Sequence, residues 1–83
     1  MFQVIMLNDD FTPMEFVIEI LMQHFHKSAE VASQLMLQVH FQGSALCGIY
    51  PLDIAESKRH KVESASRQAG HPLRCVTERS VDD

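Results

Sequence analysis

No stretch of this chain approaches the roughly 20 consecutive apolar residues that span a bilayer, and no basic segment followed by a cleavable apolar run stands at its start. The expectation is a soluble, unexported protein with no membrane partner. Lys and Arg total only 7, scattered along the sequence, and the formal charge is -4. Nucleic acid is therefore not an expected partner, because phosphate binding needs clustered cations. Cysteine is scarce as well. Cys47 and Cys75 lie far apart without a CxxC pair, which argues against a disulfide framework and fits buried free thiols in a cytoplasmic setting. Repeats, low-complexity segments and linkers are all missing, so residues 1–83 read as one domain, with residues 79–83 expected to fray. What is present is ordinary: 46% apolar and 22% charged residues, enough for one thin core.

Taken in order, the apolar run Phe2 to Leu7 predicts a first strand. A helix then starts near Pro13 and reaches about Lys27, with Thr12 as N-cap, Pro13 in the first helical position and Glu15 at the capping-box spacing. Phe11 and Phe16 flank this start as an expected hydrophobic staple. Ser28 caps a second helix that runs to about Phe41 and is stopped by Gly43. Ser44 to Tyr50 alternates as a second strand, with Ala45, Cys47 and Ile49 on one side. Pro51 and Asp53 open a third, more solvated helix with a thin stripe through Ile54, Ala55, Lys58, Val62, Ala65 and Ala69, ending near Gly70. Leu73 to Glu78 gives a third strand. The order β-α-α-β-α-β predicts an α+β fold, a three-stranded antiparallel sheet covered by three helices.

The turn NDDFTPMEFV, from Asn8 to Val17, holds more polar groups than a helix cap requires. If Thr12 is the cap, Asn8, Asp9 and Asp10 are surplus. The first helix also has more apolar surface than packing on a small sheet demands. An apolar groove floored by Met14, Val17, Met36 and Val39, with His40 at its rim and Asn8, Asp9 and Asp10 as acceptors, suits a ligand with an ammonium head and an apolar body. A peptide N-terminus with a large first side chain is such a ligand, since an α-amino group with a reference pKa of about 7.7–8.0 is mostly protonated near neutrality. Other uses of the same residues stay open. Asp9, Asp10 and His40 could serve a small metal-dependent or acid–base hydrolase, and Cys47 with His40 a nucleophilic pair. The histidines lack zinc-ligand spacing, so neither a structural metal nor a cofactor is expected.

Together, NDDFTPMEFV, QLMLQVHFQG and HPLRC resemble the ClpS family, the bacterial N-end rule adaptors of Clp AAA+ proteases, over almost the whole chain. The resemblance implies no catalytic activity and a core similar to the C-terminal domain of a ribosomal stalk protein. It implies that Asn8, Asp10 and His40 hold a substrate α-amino group with Asp9 supporting the rim. Leu7, Thr12, Met14, Val17, Met36, Val39 and Leu73 would line the side-chain pocket, with Met14 as a gate against β-branched residues. Expected ligands are N-degron proteins and peptides that begin with Leu, Phe, Tyr or Trp. Docking on the N-terminal domain of the ClpA unfoldase would map to Asp53, Glu56 and Lys58. The family's N-terminal extension does not stand ahead of the first strand in this sequence, where Met1 nearly abuts it; the expectation is either a trimmed chain or a member that delivers differently, with delivery rather than recognition in question.

Overall fold

The near-continuous hydrophobicity of Phe2–Leu7 has a simple cause: this strand is the middle one. A computed structural model describes residues 1–80. The elements are β1 (Phe2–Leu7), α1 (Met14–Phe25), α2 (Ala29–Gln42), β2 (Ser44–Tyr50), α3 (Leu52–Gln68) and β3 (Arg74–Arg79). β1 pairs antiparallel with both other strands, in the order β2-β1-β3. Order, sheet and helix count match the sequence expectation. Val4, Met6, Ala45, Cys47 and Cys75 face a core completed by Ile20, Leu21, Phe25, Ala32, Val39, Ala55 and Val62. Among the described residues no helix covers the other face of the sheet, where Leu46 and Ile49 are exposed.

The alternation expected in β2 breaks at a bulge. Val4 pairs with Gly48 but Ile5 with Leu46, so Cys47 is the extra residue. Ala45 and Cys47 stay in the core while Ile49 turns out, and Tyr50 comes onto the core side, half-buried. The Tyr50 ring lies against Gly48, where a Cβ would collide with it. That ring and Phe25 receive the Lys58 ammonium, 5.1 and 5.8 Å from the two centroids, and Lys58 Nζ donates to the His24 carbonyl at 2.8 Å. Lys58 thus ties α3 to the C-terminal end of α1, where cations are favoured. Replacing it with Met keeps the stem but removes the charge and the bond. The expected outcome is a loss of roughly 1–2 kcal/mol in urea unfolding, and an unchanged midpoint would remove this role.

Helix boundaries follow their caps with some corrections. Ser28 Oγ accepts the Val31 N–H at 3.2 Å, as its position predicts. α1 begins one residue later than expected, at Met14, with extended Pro13 preceding it and no side-chain cap. It closes at Phe25 through His26, a non-glycine residue in the left-handed region with φ 56°. In α3 the buried stripe is Ala55, Val62 and Ser66, whereas Ile54 and Ala69 are exposed. Ser66 tolerates burial because its Oγ–H donates to the Val62 carbonyl at 2.8 Å. β3 runs through Arg79, and the Ser80 N–H donates to Met1 O at 3.0 Å with Ser80 buried. The expected fraying therefore does not begin at Arg79, because this segment completes the pairing with β1. Residues 81–83, the rest of that expected tail, lie outside the described part.

Candidate functional site

The site is assembled where the end of β1 meets the end of α2. Asn8 donates its N–H to the Gly43 carbonyl at 2.9 Å, and Gly43 donates its own N–H to Val39 O at 2.9 Å. Gly43 sits at φ 93°, a conformation that favours glycine, and so can terminate α2 and hold the next loop in the same residue. The chain from Asn8 to Pro13 is thereby brought beside the last turn of α2, which carries His40.

Asp9 organises this loop. Its Oδ1 accepts the N–H groups of Phe11 at 2.8 Å and Thr12 at 2.7 Å, and its Oδ2 accepts the Thr12 hydroxyl at 2.7 Å. Burial pushes the Asp9 carboxyl up, but the Thr12 hydroxyl, the two N–H groups and the nearby His71 outweigh it and hold the pKa below the usual value. Two expectations fail here for one reason. The Thr12 hydroxyl donates to Asp9 instead of capping α1, so no capping box forms. Phe11 is turned out, 79% exposed, so there is no staple. Its expected partner Phe16 meets the His71 ring edge-on, with centroids 4.7 Å apart. Asp9 is thus not a surplus group; its carboxylate already has three donors.

Between α1 and α2 lies a cavity of about 380 Å³ lined by Asn8, Asp9, Asp10, Phe11, Thr12, Pro13, Met14, Val17, Met36, Val39 and His40. Val17 and Val39 are buried walls, and Met14 is 43% exposed at the edge. Asn8, Asp10 and His40 are exposed at the mouth. The His40 ring meets Phe41 edge-on, with centroids 4.8 Å apart. Among the described residues no hydrogen-bond partner engages the side chains of Asn8, Asp10 or His40, so all three are available to a ligand.

Two expected pocket residues lie elsewhere. Leu7 falls on the helix-free face of the sheet by the period-two alternation that buries Met6, and lines a neighbouring groove with Pro72 and Arg74. Leu73 is 3% exposed and packed in the core. Phe11 and Pro13 line the cavity although neither is among the expected pocket residues. Their signal is position alone: both stand inside the loop whose polar members mark the site.

Two of the residues that the alternative chemistry would use are already committed elsewhere. Cys47 is buried, and burial pushes its thiol up to about 12, so it stays protonated at neutral pH. The Asp9 carboxylate is fully engaged. Among the described residues no three His, Cys, Asp or Glu side chains converge as a metal site would need.

The remaining expected residues lie on α3, away from the cavity. Asp53 is exposed in the first turn. Glu56 instead accepts the Thr77 hydroxyl at 2.7 Å and pairs with Arg59 at 2.6 Å, which lowers its pKa. Lys58 makes the internal contacts described above. Of these three, only Asp53 presents a carboxylate with no internal partner among the described residues.

Residues 1–76 match the protein family described as "ATP-dependent Clp protease adaptor protein ClpS". The chain belongs to the ClpS family. It is 54% identical over 78 residues to the ClpS adapter of Variovorax paradoxus, covering 94% of this chain and 66% of that protein. With the ClpS adapter of Paraburkholderia phymatum the identity is 55%, covering 94% and 75%. Agrobacterium tumefaciens ClpS2, solved bound to L-phenylalaninamide, shares the fold with a TM-score of 0.90 at 38% identity, covering 93% of each chain. The chain thus spans about two thirds to three quarters of the length of the two ClpS adapters. Among its described residues no helix is long and apolar enough to cross a membrane.

Proposed function

We propose that this chain is a non-catalytic adaptor that captures proteins by a free α-amino group and a large hydrophobic first side chain, Leu, Phe, Tyr or Trp, and brings them to a Clp unfoldase. The observation that carries the reading is the cavity: apolar walls from two helices, and a mouth where Asn8, Asp10 and His40 have unused hydrogen-bonding capacity. Its volume of about 380 Å³ is at the small end for ligand pockets, which span about 300–1,000 Å³, and suits one side chain rather than a length of peptide. L-phenylalaninamide, the ligand of the related ClpS2, has the matching chemistry: a benzyl group, an α-amine and no free carboxylate. In this reading Asp10 accepts from the ammonium, Asn8 and His40 complete its hydrogen bonds, and Asp9 acts indirectly by fixing the loop. Met14, at the edge, narrows the entrance against β-branched side chains. Asp53 is the α3 carboxylate available to the N-terminal domain of ClpA.

The test is a panel of peptides identical except for the first residue. Leu, Phe, Tyr and Trp are expected to bind about tenfold or more tighter than Ala, as side-chain burial worth roughly 1.5–3 kcal/mol requires. Ile and Val should fall near Ala. Uniform affinity across the panel would remove the pocket from the mechanism.

A further inference from the structure

The cavity has a continuation on the other side of the loop that bounds it. Asn8, Asp9, Asp10 and Phe11 are shared with a second groove of about 410 Å³, completed by Leu7, Pro72 and Arg74. Pro72 and Arg74 are shared in turn with a third, about 450 Å³, whose lining includes Arg59, Glu63, Arg67 and His71. The three form one path: an apolar pocket, a ridge, an apolar groove, then a basic one. Cations that are scattered in sequence are gathered here by α3 and β3, on a chain whose formal charge is -4. Arg59 is neutralised by Glu56 and Glu63 at 2.6 and 3.0 Å. Arg67 and Arg74 are both exposed, and among the described residues neither has an ion-pair partner.

We propose that the rest of the captured chain follows this path, crossing the Asn8–Phe11 ridge into the groove of Leu7, Phe11 and Pro72 and placing acidic residues against Arg67 and Arg74. This rests on the first residue occupying the cavity. The occupant is the substrate's own continuation because the grooves share their walls with the pocket, and its acidic character follows from the two unpaired guanidinium groups. An extended chain advances about 3.3 Å per residue, and the longest dimension of the molecule is 33 Å. A straight run of that length takes about ten extended residues, which sets the scale for the positions to be varied.

The test uses Phe-initiated peptides with a neutral spacer at positions 2 to 4 and Glu, Ser or Lys at positions 5 to 8. Anisotropy titrations are run at low and high salt against the parent chain and the Arg67→Glu/Arg74→Glu variant. The acidic tail is expected to bind roughly three- to tenfold tighter than the neutral one, the scale of two exposed ion pairs. That preference should vanish at high salt and reverse in the variant. Identical affinities for the three tails, or an acidic preference that persists in the variant, would overturn the proposal while leaving first-residue recognition intact. Failure of every Phe-initiated peptide to bind would overturn both.

Discussion

Acetylating the α-amine of a Phe-initiated peptide is expected to weaken its binding at least a hundredfold. An α-ammonium has a charge and three donors, and the mouth of the cavity offers it the Asp10 carboxylate, the Asn8 side-chain oxygen and a His40 ring nitrogen. Hydrogen bonds involving a charged group contribute about 1.5–3 kcal/mol each, and each 1.4 kcal/mol is about a factor of ten. Acetylation removes the charge and leaves one N–H, so at least two such bonds are lost together. The side chain is untouched, so whatever binding survives measures the apolar pocket alone. Calorimetric titration of the two peptides provides the comparison. Asp10→Ala should cost the free-amine peptide tenfold or more and the acetylated one little, with unfolding unchanged because the exposed Asp10 carboxylate has no internal partner among the described residues. Equal affinity for both peptides would rule out the ammonium site.

The division of labour among Asn8, Asp9 and Asp10 is only partly legible in the sequence. Their polarity after an apolar strand marks the turn, and the spacing of Thr12, Pro13 and Glu15 marks a helix start. Which side chain organises that turn is not marked. Thr12 as cap and Asp9 as turn former are both good local solutions, and the structure uses Asp9, whose carboxylate serves three donors where a Thr12 cap would serve one or two. The same limit explains Leu73. Its apolar character marks it as inward-facing, but which inward residues reach a cavity depends on how far α1 and α2 stand apart. The bulge at Cys47 is invisible for a different reason: inserting a residue in one strand changes the register with its partner and leaves no local mark. Fold class and element order are legible because they rest on repeated signals, strand runs and helix caps, none of which has to be right alone.

Glu56 and Lys58 show the converse. Charged residues on a solvated helix read as outward-facing, yet Glu56 meets Thr77 of β3 and Lys58 meets the end of α1. Long side chains fold back to satisfy groups on neighbouring elements, and sequence periodicity sees only where the Cβ points. α3 is consequently better anchored than its composition suggests. Its anchoring matters to the site, because Arg59 and Arg67 of α3 and Arg74 of β3 meet in the basic groove.

Asp9→Ala is expected to be the most damaging single change in the loop, lowering stability by roughly 2–3 kcal/mol and reducing peptide affinity with it. Three donors lose their acceptor: the Phe11 and Thr12 N–H groups and the Thr12 hydroxyl. The exposed N–H of Phe11 can turn to water, which holds the figure below the sum of three buried bonds. Asp9→Asn should recover part of the loss, because its side-chain oxygen still accepts while the charge is gone. The pH dependence has a definite sign. The folded carboxyl is held below its ordinary value of 3.8, so its contribution is complete above that value and is lost as pH falls through the lower folded value. In urea unfolding from about pH 6 down to about pH 2, the parent chain's stability advantage over Asp9→Ala should shrink progressively as the pH falls below the ordinary carboxyl value. A difference that stays constant over the whole range would mean that the ionised carboxylate is not what holds the loop. Because Asp10 lies one residue away and has no such bonds, Asp10→Ala measured alongside should follow the parent curve in stability while losing the ligand. The pair of variants thus separates the carboxylate that builds the loop from the one proposed to meet the amine.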